Sequence, residues 1–286
     1  MINNSPVGLI AGNRTLPVIA AKALKARGVP LALCSLAGEA EEELKNYANF
    51  HITLSLGSLR PMVDFFKSSG VSELFMAGGI DRDNLLENYD PDDDAIALME
   101  SLSNFQTDTI LRGLASYLER AGLKLISVTD IVPEILVKPG LLSETPPSPE
   151  LLADLRLAFV LARELGRLDV GQTVVVSDLI AVALEGADGT DATIRRGASL
   201  SKRPIAVAKV LKPTQDTRFD LPVIGPPTLE LLADLKAGGL VLDAKGLIIL
   251  EEDKCIEIAN SNKMALLAWM EAPEKPKTLA QQLKQG

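Results

Sequence analysis

An α/β protein of two domains is predicted: a Rossmann-like parallel sheet in the N-terminal half, then a mixed α/β domain, joined by a Pro-rich linker. Three observations carry this. Short apolar runs alternate with amphipathic helical stretches through the first half. Several of those runs stop at glycine, and Pro133, Pro139, Pro146, Pro147 and Pro149 crowd a stretch poor in long apolar runs. At 286 residues the chain has the length of two domains.

Val7 to Ala11 is an apolar run ending at Gly12. Leu16 to Arg27 reads as a helix, with Pro17 suited to its first turn and Gly28 ending it. Pro30 to Ser35 then completes a β–α–β opening. The rhythm continues with a strand at His51 to Leu56, a helix at Pro61 to Ser69 and a strand at Glu73 to Ala77 stopping at Gly78-Gly79. One long helix is expected over Ser101 to Ala121, then a strand over Lys124 to Val128. These elements make up a domain over 1–132, followed by a linker over 133–149. The second domain, 150–286, opens on a helix from about Pro149 to Leu165 with Ser148 as its cap. Its strand candidates are Thr173 to Ser177, Leu179 to Leu184, Ile205 to Val210, Leu240 to Leu242, Leu247 to Leu250 and Lys254 to Ile258. Its helix candidates are Thr190 to Gly197, Pro227 to Ala237 and Ser261 to Met270, and a loosely attached polar tail follows Glu271.

Composition narrows function mainly by exclusion. Hydrophobic residues at 47% and charged residues at 23% are ordinary for a globular protein. A net charge of -9 gives no general attraction to nucleic acid or to an anionic lipid surface, so no nucleic-acid partner is expected. Any anionic substrate needs local cations, backbone N–H groups or a metal. Cys34 and Cys255 fit no CxxC spacing and read as buried free thiols of a reducing compartment. His51 is the single histidine, which argues against a histidine-rich zinc site or a Ser–His–Asp triad. No secretory signal is read at the N-terminus, and no apolar run reaches the roughly 18–20 residues that span a bilayer.

Two kinds of motif carry chemistry. Gly8-Leu9-Ile10-Ala11-Gly12-Asn13 is a glycine-bearing strand-to-helix turn of the kind that lets a phosphate or ribose approach backbone amides. It matches neither GxGxxG nor the P-loop. Gly12, Asn13, Leu16, Gly78 and Gly79 are its candidate nucleotide contacts. In the C-terminal half, Glu185, Asp188 and Asp191 are three carboxylates in one glycine-framed loop, able to converge on a cation or simply to face solvent and cap the next helix. Asp216 and Asp220, with Arg218 and Lys212, form a second cluster. A carboxylate pair can hold Mg²⁺ or Mn²⁺ while the cations neutralise phosphate oxygens, and surface ion pairing is the bland alternative. Thr190 and Arg195 beside the first cluster, and Gln215 and Thr217 within the second, are further candidate substrate contacts. The acid run Asp90 to Asp94 reads as solvated.

These residues carry a resemblance. Gly8-Leu9-Ile10-Ala11-Gly12 with Leu16-Pro17, the stretch Ala162 to Gln172, Glu185-Gly186-x-x-Gly189-Thr190-Asp191, and Gln215 to Gly225 resemble the UDP-2,3-diacylglucosamine pyrophosphatases of lipid A biosynthesis, in the class unrelated to calcineurin-like phosphoesterases. The match spans about residues 7 to 270, and its C-terminal motifs are the specific ones. The resemblance implies hydrolysis of UDP-2,3-diacylglucosamine to UMP and 2,3-diacylglucosamine 1-phosphate. It also implies a divalent metal (Mg²⁺ usually), water attacking the α-phosphorus, a homodimer, and a cytoplasmic enzyme peripheral to the inner membrane. The family's essential aspartate maps onto Asp220. The chemistry of the residues agrees: Asp220, with Glu185, Asp188, Asp191 or Asp216, could hold the metal or serve as base, and Arg218 and Arg195 could steady the diphosphate. Relatives often have glycine where Arg14 stands, which touches the nucleotide contacts of that loop. The rival readings are a nucleotide-sugar enzyme of another reaction type, for which Glu39 is a poor ribose-binding candidate, and a non-catalytic nucleotide-lipid binding protein.

Overall fold

The computed structural model describes residues 5–81, 88–244 and 246–271; the polar tail lies outside them. The chain forms two compact units, residues 1–133 with 216–220, and residues 134–215 with 221–286.

In the first unit, β1 (Val7–Ala11), β2 (Leu31–Leu36), β3 (Phe50–Leu54), β4 (Glu73–Ala77) and β5 (Lys124–Leu125) form a parallel sheet in the order β3-β2-β1-β4-β5. Strands covered on both faces read as unbroken apolar runs, as β2 does: all six of its residues are buried. Helix α1 (Leu16–Ala26) carries Pro17 in its first turn, and the chain leaves it through Gly28 at φ 69. Helix α2 (Leu59–Ser68) buries Met62, Val63 and Phe66 against Ile10, Cys34 and Leu74.

The expected long helix over 101–121 is two, α3 (Asp93–Ser101) and α4 (Thr107–Arg120). Leu102 turns extended, and Asn104 Oδ1 accepts from the Gln106 N–H at 3.0 Å and the Thr109 hydroxyl at 2.9 Å. Such a side chain offers the backbone an alternative to the helix ladder. The acid run is not merely solvated either. Asp92 caps α3 through the Ala95 N–H (2.8 Å) and also takes the Arg60 N–H (2.7 Å). Asp94 accepts from Arg60 and from the Tyr117 hydroxyl. Carboxylates at a helix start satisfy orphan N–H groups and complement its dipole. The four-residue helix α5 (Val128–Ile131) follows β5.

In the second unit, β6 (Gly140–Leu141), β7 (Thr173–Ser177), β8 (Ile180–Leu184), β9 (Ala206–Lys209), β11 (Gly239–Asp243) and β13 (Ala265–Trp269) form a mixed sheet in the order β6-β13-β11-β9-β7-β8. A two-stranded pair, β10 (Val223–Ile224) and β12 (Ile248–Ile249), stands apart. Helix α6 (Pro149–Arg167), capped by Ser148, covers one face through Leu155, Phe159 and Ala162. Helices α7 (Gly189–Leu200), α8 (Pro226–Asp234) and α9 (Glu252–Ser261) cover the other through Ile194, Leu229, Leu232, Cys255 and Ala259.

Two expectations are reversed here. Lys254 to Ile258 lies in helix α9, not a strand, and the helix expected over 261–270 is replaced by strand β13. Cys255 and Ala259, four apart, mark the buried face of α9. Ala265 to Ala268 are all buried, as an interior strand requires. The stretch 133–149 differs from a free linker. From Glu134 on it belongs to the second unit, with Val137 buried, β6 paired to β13, and Ser143 Oγ accepting the Leu266 N–H at 2.9 Å.

The β7–β8 turn holds both Asp178 (φ 53) and Leu179 (φ 58) in the left-handed region, where leucine is strained. Asp154, buried on α6, compensates by accepting the Asp178 N–H at 3.0 Å and the Leu179 N–H at 2.7 Å. Asp154→Ala is expected to cost about 1–3 kcal/mol in urea unfolding. An unchanged midpoint would show that the turn holds itself.

Candidate functional site

In the first unit the glycine turns meet at the carboxyl ends of β1 and β4, the point where the strand order reverses and open α/β sheets receive ligands. The Gly12 N–H donates to Ala77 O and the Asn13 N–H to Gly79 O, both at 2.9 Å. The Gly79 N–H returns to Asn13 Oδ1 at 3.2 Å. Leu16 does not join this group; it is buried on α1.

Glu39, set aside in the sequence, is central. It is only 6% exposed, accepts from Asn13 Nδ2 at 2.7 Å, and takes the Asp81 N–H at 2.8 Å. Its signal was an acidic residue three positions beyond β2. The glycines are needed for contact between the turns. A Cβ on Gly12 would lie 2.1 Å from Gly79 O, and one on Gly78, at φ 92, 2.4 Å from Asn13 O. Gly12→Ala is expected to cost about 3 kcal/mol in urea unfolding; a loss below about 0.5 kcal/mol would mean the turns separate freely.

The segment Asp216–Asp220 packs with this first unit. Phe219 lies against its core, and Ser127 Oγ donates to Thr217 O at 2.9 Å. Arg218 forks onto Asp216, with Nε to Oδ1 at 3.0 Å and Nη2 to Oδ2 at 2.7 Å, while Nη1 reaches Glu119 at 2.6 Å. That bidentate arginine holds the Asp216 carboxyl below its usual pKa range. The Asp220 N–H donates to Asp216 O at 2.9 Å, so Asp220 sits, half-buried, at the end of a turn fastened by Arg218. Gln215 and Lys212 fall in the second unit, where the Lys212 N–H meets Gln215 Oε1 at 3.3 Å and Nζ pairs with Asp169 at 2.8 Å.

The first acidic loop also lies in the second unit. Glu185 is buried; it accepts the Gln172 N–H at 2.9 Å and the Thr190 hydroxyl at 2.9 Å. Asp188 pairs with Arg196 at 2.9 Å, which lowers its pKa. Arg195 and Asp191 are exposed on α7. The buried Lys209, unmarked in the sequence because it ends an apolar strand, reaches Thr190 Oγ1 at 3.2 Å. Burial lowers its pKa, while Glu185 and Asp191 oppose that shift. Among the described residues no three His, Cys, Asp or Glu side chains gather as a metal set; Asp220 belongs to the first unit, and Glu185, Asp188 and Asp191 belong to the second. Cys34 and Cys255 are buried and free, their thiols pushed up to about 12 chiefly by burial.

A relative from Caulobacter vibrioides, the UDP-2,3-diacylglucosamine pyrophosphatase LpxI, is 30% identical over 281 residues, covering 94% of this chain and 99% of that one. Among solved structures, the biotin carboxylase subunit of pyruvate carboxylase matches over 65% of this chain and 36% of that one, at 15% identity and a TM-score of 0.28. Pyruvate carboxylase of Rhizobium etli with acetyl coenzyme-A matches over 69% of this chain and 15% of that one, at 16% identity and a TM-score of 0.28. The chain thus spans little more than a third of the first carboxylase and less of the second. The LpxI N-terminal domain family matches residues 6–135, and the LpxI C-terminal domain family matches residues 138–267. With both halves matched in order and the relative aligned almost end to end, the chain belongs to the LpxI family.

Proposed function

We propose that this chain hydrolyses the pyrophosphate bond of UDP-2,3-diacylglucosamine in lipid A biosynthesis, giving UMP and 2,3-diacylglucosamine 1-phosphate, with water attacking the α-phosphorus. The observation that carries the reading is the near end-to-end match to a relative named for that activity. Its chemistry needs a general base for water and donors for the phosphate oxygens. Asp220 is the candidate base. The fork of Arg218 fastens the turn that ends at Asp220, and Asn13 with the Gly78–Gly79 turn offers a nucleotide contact. Mg²⁺ or Mn²⁺ would serve as cofactor by neutralising charge on the diphosphate oxygens.

No helix among the described residues is long and apolar enough to cross a membrane. A diacylated substrate is met at a membrane surface, so transient contact of a cytoplasmic, homodimeric enzyme with the inner membrane completes the proposal.

The test is UMP release from UDP-2,3-diacylglucosamine by the purified chain. Release supports the assignment; none under any metal sinks it and leaves nucleotide-lipid binding. In a separate arm, EDTA is expected to lower the rate at least tenfold, with Mg²⁺ or Mn²⁺ restoring it. An EDTA-insensitive rate removes the metal and leaves the hydrolase.

A further inference from the structure

Lys209 ends β9 and is 8% exposed. It stands opposite Thr173 in the β7–β9 register, so the two side chains leave the sheet on the same face, toward α7. Its Nζ reaches Thr190 Oγ1 at 3.2 Å and the Val223 carbonyl at 3.4 Å. An ammonium only donates. The Thr190 oxygen therefore accepts from Lys209 and sends its own proton to Glu185 Oε1, 2.9 Å away. The other Glu185 oxygen takes the Gln172 N–H at 2.9 Å. Thr173 Oγ1 lies 3.3 Å from the same Thr190 oxygen. A buried cation and a buried carboxylate are thus joined through a single hydroxyl, and Asp191 adds negative charge next to it in sequence. Neither charge is tolerable in the interior without the other. The remaining acid of the loop, Asp188, has its own cation in Arg196.

We propose that Lys209 is the resident cation of the Glu185–Asp191 loop: its ammonium fills the charge requirement a divalent metal would otherwise meet, and it fixes the Thr190 hydroxyl at the start of α7. A metal that enters this loop must compete with a tethered charge: the Glu185 oxygens already hold the Thr190 hydroxyl and the Gln172 N–H, and Asp188 already holds Arg196.

The test uses the whole chain and Mn²⁺ as probe, with binding read by electron paramagnetic resonance and folding by thermal melting. Neither readout uses substrate, so a failed hydrolysis assay leaves the proposal standing. Glu185→Gln and Asp191→Asn are expected to keep the wild-type Mn²⁺ affinity within twofold. Lys209→Met is expected to gain Mn²⁺ binding at least tenfold, and the added Glu185→Gln to abolish that gain. The double variant should also melt higher than Lys209→Met alone, including the case in which the single variant does not fold. A tenfold loss of Mn²⁺ affinity in Glu185→Gln or Asp191→Asn would overturn the proposal. So would melting losses in the double variant that equal the sum of the two single ones.

Discussion

Asp220→Asn is expected to lower kcat for UMP release roughly a thousandfold while the chain still folds. Asp220 sits half-buried at the end of a turn whose backbone is closed by its own N–H to Asp216 O and whose neighbour Phe219 fills the first unit's core. Asparagine keeps that shape and the backbone bond; it removes the negative charge and with it the capacity to take a proton. A stability change within about 3 kcal/mol is expected, which leaves the chain folded. The measurement is single-turnover UMP release beside a urea melt. A variant retaining more than a tenth of the wild-type rate would remove Asp220 from the role of base, whatever its place in the fold.

Arg218→Ala is expected to cost about 10- to 100-fold in kcat/KM, by releasing the turn rather than by touching phosphate. In this structure the guanidinium is spent on Asp216 and Glu119. Its loss frees the segment that carries Asp220, and small misplacements of a reacting group are costly. Lysine should not rescue the variant, because a point charge cannot make the fork. Glu119→Gln, which removes the charge of one of the two partners, should lose less. The acid side supplies a second readout. The Asp216 pKa is lowered by Arg218, so its contribution to stability is present above the unfolded value of about 3.9 and is lost as pH falls through the lower folded value. Without Arg218 the folded value returns towards the unfolded one, so this acid-dependent loss shrinks and the profile flattens. Equal acid profiles for wild type and variant would show that the pair does not hold the turn.

The parallel sheet was legible because its central strands are apolar, largely buried runs that stop at glycine, as at Val7–Ala11 and Glu73–Ala77. The exchange of helix and strand over 254–270 was not, since short apolar runs fit either period until neighbours are known. The glycine turns were legible as a pair of loops, but their mutual contact was not, because it joins positions 12 and 79. Glu39 and Lys209 escaped for a common reason. A charge near an apolar strand looks incidental until its partners appear, and these lie at Asn13 and Asp81, and at Thr190. The Asp216–Arg218 pairing is local, but its anchor Glu119 is 99 positions away.

That the first unit includes residues 216–220 also has a bearing on synthesis. A nascent chain that has reached Pro133 lacks Phe219 for its core and Arg218 for Glu119. At about 5–20 residues per second, the ribosome needs several seconds more to supply them. The N-terminal half therefore waits, incompletely closed, for a piece encoded deep in the second half. A fragment ending at Pro133 should inherit that exposed seam permanently, and the two halves are better regarded as interlaced in translation than as separable beads.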